Sequence, residues 1–352
     1  MKRLLLISLI ILLLPLNAFA QDDGEDELTF LVSPDGSFAA ILPQDWASDF
    51  DGETATFASS EEALEIAIGT EDIPVLPSGE LAISVTAIPT EFIALFQEDS
   101  DVSLTEILNV FLEVLAAEEP DFPELSPAEE IEFAPGQMAA VVRGSQDGAE
   151  FDLLAYMIAP NTIAITAVVG VEGELFAAEA DVLAMLEGIL YSAPLDETYE
   201  DDSVEIDYPA GWEAANVQPG IYTFTNVPEK LELGEEGGAL QSDEYIMAIY
   251  NLTEMGVEDG ELPDLLIAVG EQLLDEEEED SYTEAVQIPL EDRELYGMTV
   301  IQADEDESGG GVLITRTATG EILIVVYVTA LGEETLGSWT AVNMLLGVDI
   351  KQ

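Results

Sequence analysis

Residues 204–212 read "VEIDYPAGW", and residues 38–46 read "FAAILPQDW". Each is an alternating or apolar run closed by a proline, two small or polar residues and a tryptophan. A period of two marks a half-buried strand. Proline has no N–H, so it can end a strand without leaving a donor unpaired. The tryptophan then folds back as a large apolar plug. A phrase written twice in one chain points to packing that is solved twice. Ligand or partner stacking on Trp46 or Trp212 is the rarer alternative.

The likeness extends outward from these two phrases. Short strands follow, "TATFAS" around Phe57 and "IYTFTN" around Phe224. Next come "LAISVTAIP" from Leu81 and "EYIMAIYNL" from Glu244. Leu104, Ile107, Leu108, Phe111, Leu112 and Leu115 step by three and four, as Leu262, Leu265, Leu266, Val269 and Leu273 do approximately. Such spacing gives a helix one buried face. Both halves continue with strands whose turns fall at Pro160-Asn161 and Thr319-Gly320, hairpin signals in each case. Both close on a helix, "VLAMLEGIL" and "AVNMLLGVD". The pattern predicts a tandem duplication of a domain of roughly 150 residues. The expected division is a signal peptide at 1–20, an acidic leader at 21–32, a first domain at 33–192, a linker at 193–202 and a second domain at 203–352.

The order of strand, Pro-x-x-Trp, strand, apolar strand, long helix, hairpin-joined strands and closing helix resembles the PsbP-like family. That family includes the extrinsic oxygen-evolving subunit of photosystem II, a Ran-binding nuclear transport factor and bacterial extracytoplasmic proteins of unassigned function. Its opening phrase is matched by Val204, Ile206, Tyr208, Pro209 and Trp212, and more loosely by Phe38, Ile41, Pro43 and Trp46. The resemblance implies an α+β fold, a mainly antiparallel sheet sandwiched by helices in each of two tandem domains. It also implies a role in docking onto a larger partner.

Lys2 and Arg3 precede an apolar run, Leu4 to Leu16, that ends in Ala18-Phe19-Ala20. This is the pattern of a secretory signal peptide, and the run is shorter than the ~20 residues that span a bilayer. A secreted or periplasmic protein, expected to be monomeric and not inserted in the membrane after cleavage, follows from it. With no cysteine, neither a lipobox nor a disulfide exists. The net charge is −68, from 75 acids and 7 bases. Such a field repels nucleic acid and anionic membranes. The 48% apolar content argues for a folded protein with a carboxylate surface rather than disorder. Salt adaptation and cation binding would both use that surface.

The absence of histidine and cysteine removes Ser-His-Asp and Cys-His triads and ordinary zinc sites. "SGGGV" from Ser308 reads as a loop entering a strand, not a phosphate cradle. A carboxylate-pair hydrolase survives as a remote option, because close acid pairs arise by chance among so many. Oxygen-ligand metal sites remain allowed. "DFDGET" at 49–54 has the look of a calcium loop, with Asp49, Asp51 and Glu53 as candidate ligands. It lacks the ligand count calcium needs, and an acidic turn is the plainer reading. The scarce bases Arg143 and Arg316 are expected to neutralise nearby carboxylates. The sequence therefore points to a non-enzymatic binding or scaffold protein with an unidentified protein partner, no required cofactor, and weak calcium binding as the alternative.

Overall fold

A computed structural model describes residues 28–69, 73–90, 103–118, 123, 125–134, 137–175, 178–228, 240–241, 243–257, 260–273, 281–290, 293–302, 308–330 and 333–351. The stretch expected to be a signal peptide, most of the expected leader, and the acid runs at 275–280 and 304–307 lie outside the described residues. The chain divides into two units between Tyr191 and Ser192.

The N-terminal unit opens with β1 (Leu28–Val32) and β2 (Phe38–Pro43), which pair with β10 (Ile189–Tyr191) in a small antiparallel sheet. The large sheet holds β3 (Ala47–Asp51), β4 (Thr54–Ala58), β5 (Ala82–Pro89), β6 (Glu129–Ala134), β7 (Gln137–Gln146), β8 (Ala149–Ala159) and β9 (Thr162–Val171). Its order is β3-β4-β5-β9-β8-β7-β6, with every neighbour antiparallel. The helices are α1 (Glu61–Gly69), α2 (Leu104–Glu118) and α3 (Glu179–Glu187). Ser103 begins α2 with a capping box: its Oγ accepts the Glu106 N–H (3.3 Å), and Glu106 Oε2 accepts the Ser103 N–H (3.0 Å).

Alternation along the strands sends side chains to two cores. On β7, Ala139 and Val141 join Phe38, Phe57, Leu186 and Tyr191 on one face. Ala140 and Val142 join Ile107 and Leu108 of α2 on the other. Burying a side chain such as Phe57 contributes about 2–3 kcal/mol.

The C-terminal unit repeats this plan. Its small sheet is β11 (Glu197–Glu200), β12 (Val204–Tyr208) and β21 (Asp349–Ile350). Its large sheet contains β13 (Glu213–Gln218), β14 (Ile221–Thr225), β15 (Ile246–Asn251), β16 (Ser281–Tyr282), β17 (Val286–Pro289), β18 (Glu294–Gln302), β19 (Ser308–Arg316) and β20 (Ile322–Ala330). The order is β13-β14-β15-β20-β19-β18-β16, with β17 also on β18. Here α4 (Leu262–Leu273) buries Leu262 and Leu266 against Met298, Val300, Val312 and Ile314. The unit closes on α5 (Ser338–Leu346).

Landmarks in the two units correspond. Trp46 and Trp212 stand just before β3 and β13. The last pair of β4 and β5 is Ala58 with Ala82, and that of β14 and β15 is Thr225 with Ile246. The turn after β8 carries Asn161 at φ 54° and the turn after β19 carries Gly320 at φ 99°, both left-handed. Gly188 and Gly347 cap α3 and α5.

Three sequence expectations change. Residues 28–32, assigned to the leader, form β1, because their apolar side chains pair along β2. Residues 197–200, assigned to the linker, form β11 on β12 and belong to the second unit. The Gly309-Gly310-Gly311 run lies inside β19, between β18 and β20, rather than in a loop. A Cβ at Gly309 would meet the Glu334 carboxyl, one at Gly310 the Tyr327 carbonyl, and one at Gly311 the Tyr327 hydroxyl. Glycine in a strand marks such close approach.

Candidate functional site

The most distinctive polar cluster lies where β15 begins. Thr225 ends β14, and Asn226 follows it. The Asn226 side-chain oxygen accepts the Tyr245 N–H (2.8 Å), and Asn226 Nδ2 donates to the Asp243 carbonyl (2.5 Å). Asp243 has φ 66°, a left-handed conformation that aspartate tolerates better than most residues. Its N–H donates to Glu333 Oε2 (3.1 Å). The Tyr245 hydroxyl reaches the same oxygen at 3.4 Å. The other face of Tyr245 stacks on Trp212, with ring centroids 6.3 Å apart and planes at 17°.

This arrangement concentrates negative charge away from water. Asp243 Oδ1 is buried and has no hydrogen-bond partner. Burial, and then the Glu333 carboxylate, push the Asp243 carboxyl up to about 6. The Tyr245 hydroxyl is raised well above its ordinary range by burial, Glu333 and Asp243. Glu334, next along the chain, is 5% exposed and packs over Gly309. Burial of the Tyr327 hydroxyl itself, and then the Glu334 charge, hold it well above its ordinary value.

The N-terminal unit contains the same device with different chemistry. Ser59 replaces Asn226, and its Oγ accepts the Leu81 N–H (2.8 Å). Gly79, at φ 85°, replaces Asp243. Its N–H donates to Glu174 Oε2 (2.7 Å), and the Ser78 hydroxyl donates to Glu174 Oε1 (2.6 Å). Hydrogen bonds from Ser78 and Gly79 hold the Glu174 carboxylate below its ordinary range. The sequence carried this signal, unread, in "SGEL" at 78–81 against "SDEY" at 242–245, and in Glu174-Leu175 against Glu333-Glu334.

The residues singled out from the sequence fall elsewhere. Trp212 is 4% exposed and stacks on Tyr245. Trp46 is half-buried against the N-terminal core. Asp49 and Asp51 lie exposed on β3, and Glu53 lies in the turn to β4, where Gly52 takes φ 60°. Among the described residues no group of three acids is arranged to hold a metal, these included.

Arg143 is the hub of a separate ion cluster in the N-terminal unit. It contacts Glu129 of β6, Glu179 at the start of α3 (2.8 Å) and Asp152 of β8 (3.7 Å). Burial raises the Asp152 carboxyl to about 6 against the opposing pull of Arg143. The cluster fastens α3 to the sheet. Arg143 pairs with Asp152 across β7 and β8, where β18 and β19 pair Thr299 with Gly311. Arg316 donates instead to the Gly320 and Gly260 carbonyls.

One pair nearer the strand connection, the units differ again. Phe151 lies over Gly144, against Leu125, in the N-terminal unit. The matching pair is Val300 with Gly310. A cavity of ≈ 70 Å³ opens there, lined by residues that include Val300, Val312, Val326 and Val328.

No protein-family model matches the chain, and no curated protein matches it in sequence. Among solved structures, it is similar to cyanobacterial PsbP (CyanoP) from Synechocystis sp. PCC 6803, at 12% identity and a TM-score of 0.32, covering 49% of this chain and 96% of that one. It is similar to the Ran-binding protein Mog1p of Saccharomyces cerevisiae, at 11% identity and a TM-score of 0.30, covering 47% and 96%. It is also similar to the T6SS immunity protein TplEi of Pseudomonas aeruginosa, at 10% identity and a TM-score of 0.21, covering 92% and 97%. These are distant likenesses and say nothing of activity or partner.

Proposed function

We propose that the chain is a non-enzymatic binding or scaffold protein, secreted or periplasmic, built from a duplicated PsbP-like domain with its sheet between helical layers. Its partner is a protein with a cationic docking face. The observation that supports this most is the repetition itself: two units share one strand order and one hydrogen-bonded turn, down to Gly79 and Asp243 in the same left-handed backbone. What varies between the copies is the pattern of carboxyl groups, not the scaffold that holds them. A chain with no histidine or cysteine and a net charge of −68 is better equipped to steer a cationic surface toward it than to shuttle protons or carry a nucleophile.

The test is partner capture by crosslinking in the source cells, followed by binding of the purified pair at increasing salt. Affinity is expected to fall roughly tenfold or more as salt screens the attraction. An affinity indifferent to salt would contradict the reading. So would turnover of ester or glycoside substrates that is lost on substituting a carboxylate.

A further inference from the structure

We propose that Asp243 and Glu333 make a pH-sensitive clasp at the end of the C-terminal sheet, closed in mildly acid conditions and loosened as the pH rises. Three features of geometry carry this. The Asp243 N–H and the Tyr245 hydroxyl both point at Glu333 Oε2, so one carboxylate ties the turn before β15 to the chain that leads into α5. The Asp243 side chain shares that space, with Oδ1 buried and unpartnered. The backbone at Asp243 is held left-handed, at φ 66°, by the bonds of its N–H to Glu333 and of its carbonyl to Asn226. When Asp243 carries a proton, one negative charge occupies the clasp, and the carboxyl has a hydrogen to donate. When the proton leaves, two like charges share a site poorly reached by water, and each opposes the other's presence.

Among the described residues, no cation acts on Asp243. Glu333 is the charged group that acts on it among the described residues. Tyr245 stays neutral throughout the relevant range because burial raises its hydroxyl. The neighbouring Glu244 turns away to accept the Gln241 N–H (2.7 Å). Glu334 faces Gly309 and Tyr327. Burial of Asp243, with its carboxyl pushed up to about 6, places the change between roughly pH 5 and pH 7. Loosening would free Glu333 and the turn ending at Gly337, which packs on the Tyr245 ring.

The N-terminal unit is a built-in control, because Gly79 offers Glu174 the same N–H and has no carboxyl of its own. The experiment is amide hydrogen exchange by NMR on the whole chain at pH 5 and pH 7.5, corrected for intrinsic exchange. Protection of the Asp243 amide is expected to fall about tenfold across that range, while Gly79 stays constant within about twofold. Asp243→Asn should keep its protection at both pH values. Equal behaviour of the Asp243 and Gly79 amides in the unmodified protein would overturn the proposal without recourse to a variant. So would the same fall in protection in Asp243→Asn.

Discussion

Glu174 and Glu333 hold equivalent places, each three residues beyond the last strand residue of its hairpin, Val171 or Ala330. Each accepts the N–H of a left-handed residue before the third strand of its large sheet. Glu174 takes a second bond from Ser78 and has a lowered pKa. Glu333 faces a tyrosine and a half-buried aspartate whose own carboxyl is raised. The difference shows that hydrogen bonding by backbone N–H groups is the conserved part of the design. The electrostatic environment is free to invert. A glutamate that caps a turn comfortably in one copy becomes half of a carboxyl pair in the other, through one change from glycine to aspartate.

The largest effects should show where the units are most alike. Leu108 and Leu266 are both fully buried under a helix on the sheet. Each change to alanine is expected to cost about 2–5 kcal/mol, read by urea unfolding. A large loss at one and none at the other would break the equivalence of α2 and α4.

Next come the glycines on opposite strands of the matching pairs, Gly144 with Phe151 and Gly310 with Val300. Gly310→Ala would press a methyl onto the Tyr327 backbone carbonyl, whereas Gly144→Ala would meet the outer ring atoms of Phe151 and the tip of Leu125. Backbone yields less than side-chain tips, so Gly310→Ala is expected to cost about 2–3 kcal/mol and Gly144→Ala less. A reversed order would mean that the C-terminal cavity absorbs the methyl.

Smaller changes follow from pH. Asp243 has a folded pKa of about 6 against an ordinary 3.8. Between those values the folded chain keeps a proton that the unfolded chain releases, so stability declines as pH rises through that window and stays lower above it. Asp243→Asn should therefore stabilise the protein by about 1 kcal/mol at pH 7.5 and hardly at all at pH 4. Glu187 ends α3 half-buried, with burial raising it to about 7. Glu187→Gln should act in the same direction, its benefit building as the pH rises from about 4.5 to 7 and staying constant above that.

The smallest expected effect concerns calcium. At constant ionic strength, calorimetry should show no saturable heat that Asp51→Asn removes, because Asp49, Asp51 and Glu53 are spread along an exposed hairpin. A stoichiometric titration abolished by that change would make the N-terminal hairpin a metal site.

Much of this architecture was legible in the sequence. The period-two runs, the Pro-x-x-Trp phrases and the three-four spacing from Leu104 and Leu262 located strands and helices because burial imposes those periods. β11 was missed because "ETYE" carries acids instead of an apolar alternation, and β1 because its short apolar run "LTFLV" follows directly on the acidic stretch before it. The triple glycine looked like a loop because its reason, the approach of Tyr327 and Glu334, comes from sequence-distant partners. The clasp was the hardest to see. Asp243 and Glu333 are far apart in the chain, and among 75 acids only the registers of both units reveal which two meet. Trp212 was visible as a plug, but Tyr245 as its stacking partner was not.

The measurement that bears most directly on this account is a carboxyl-carbon NMR titration of Asp243 and Glu174 in the same protein. The two turns share one backbone and differ in the charge they enclose, so Asp243 is expected to titrate near pH 6 and Glu174 below its ordinary value. Ordinary, unshifted titrations at both positions would contradict it.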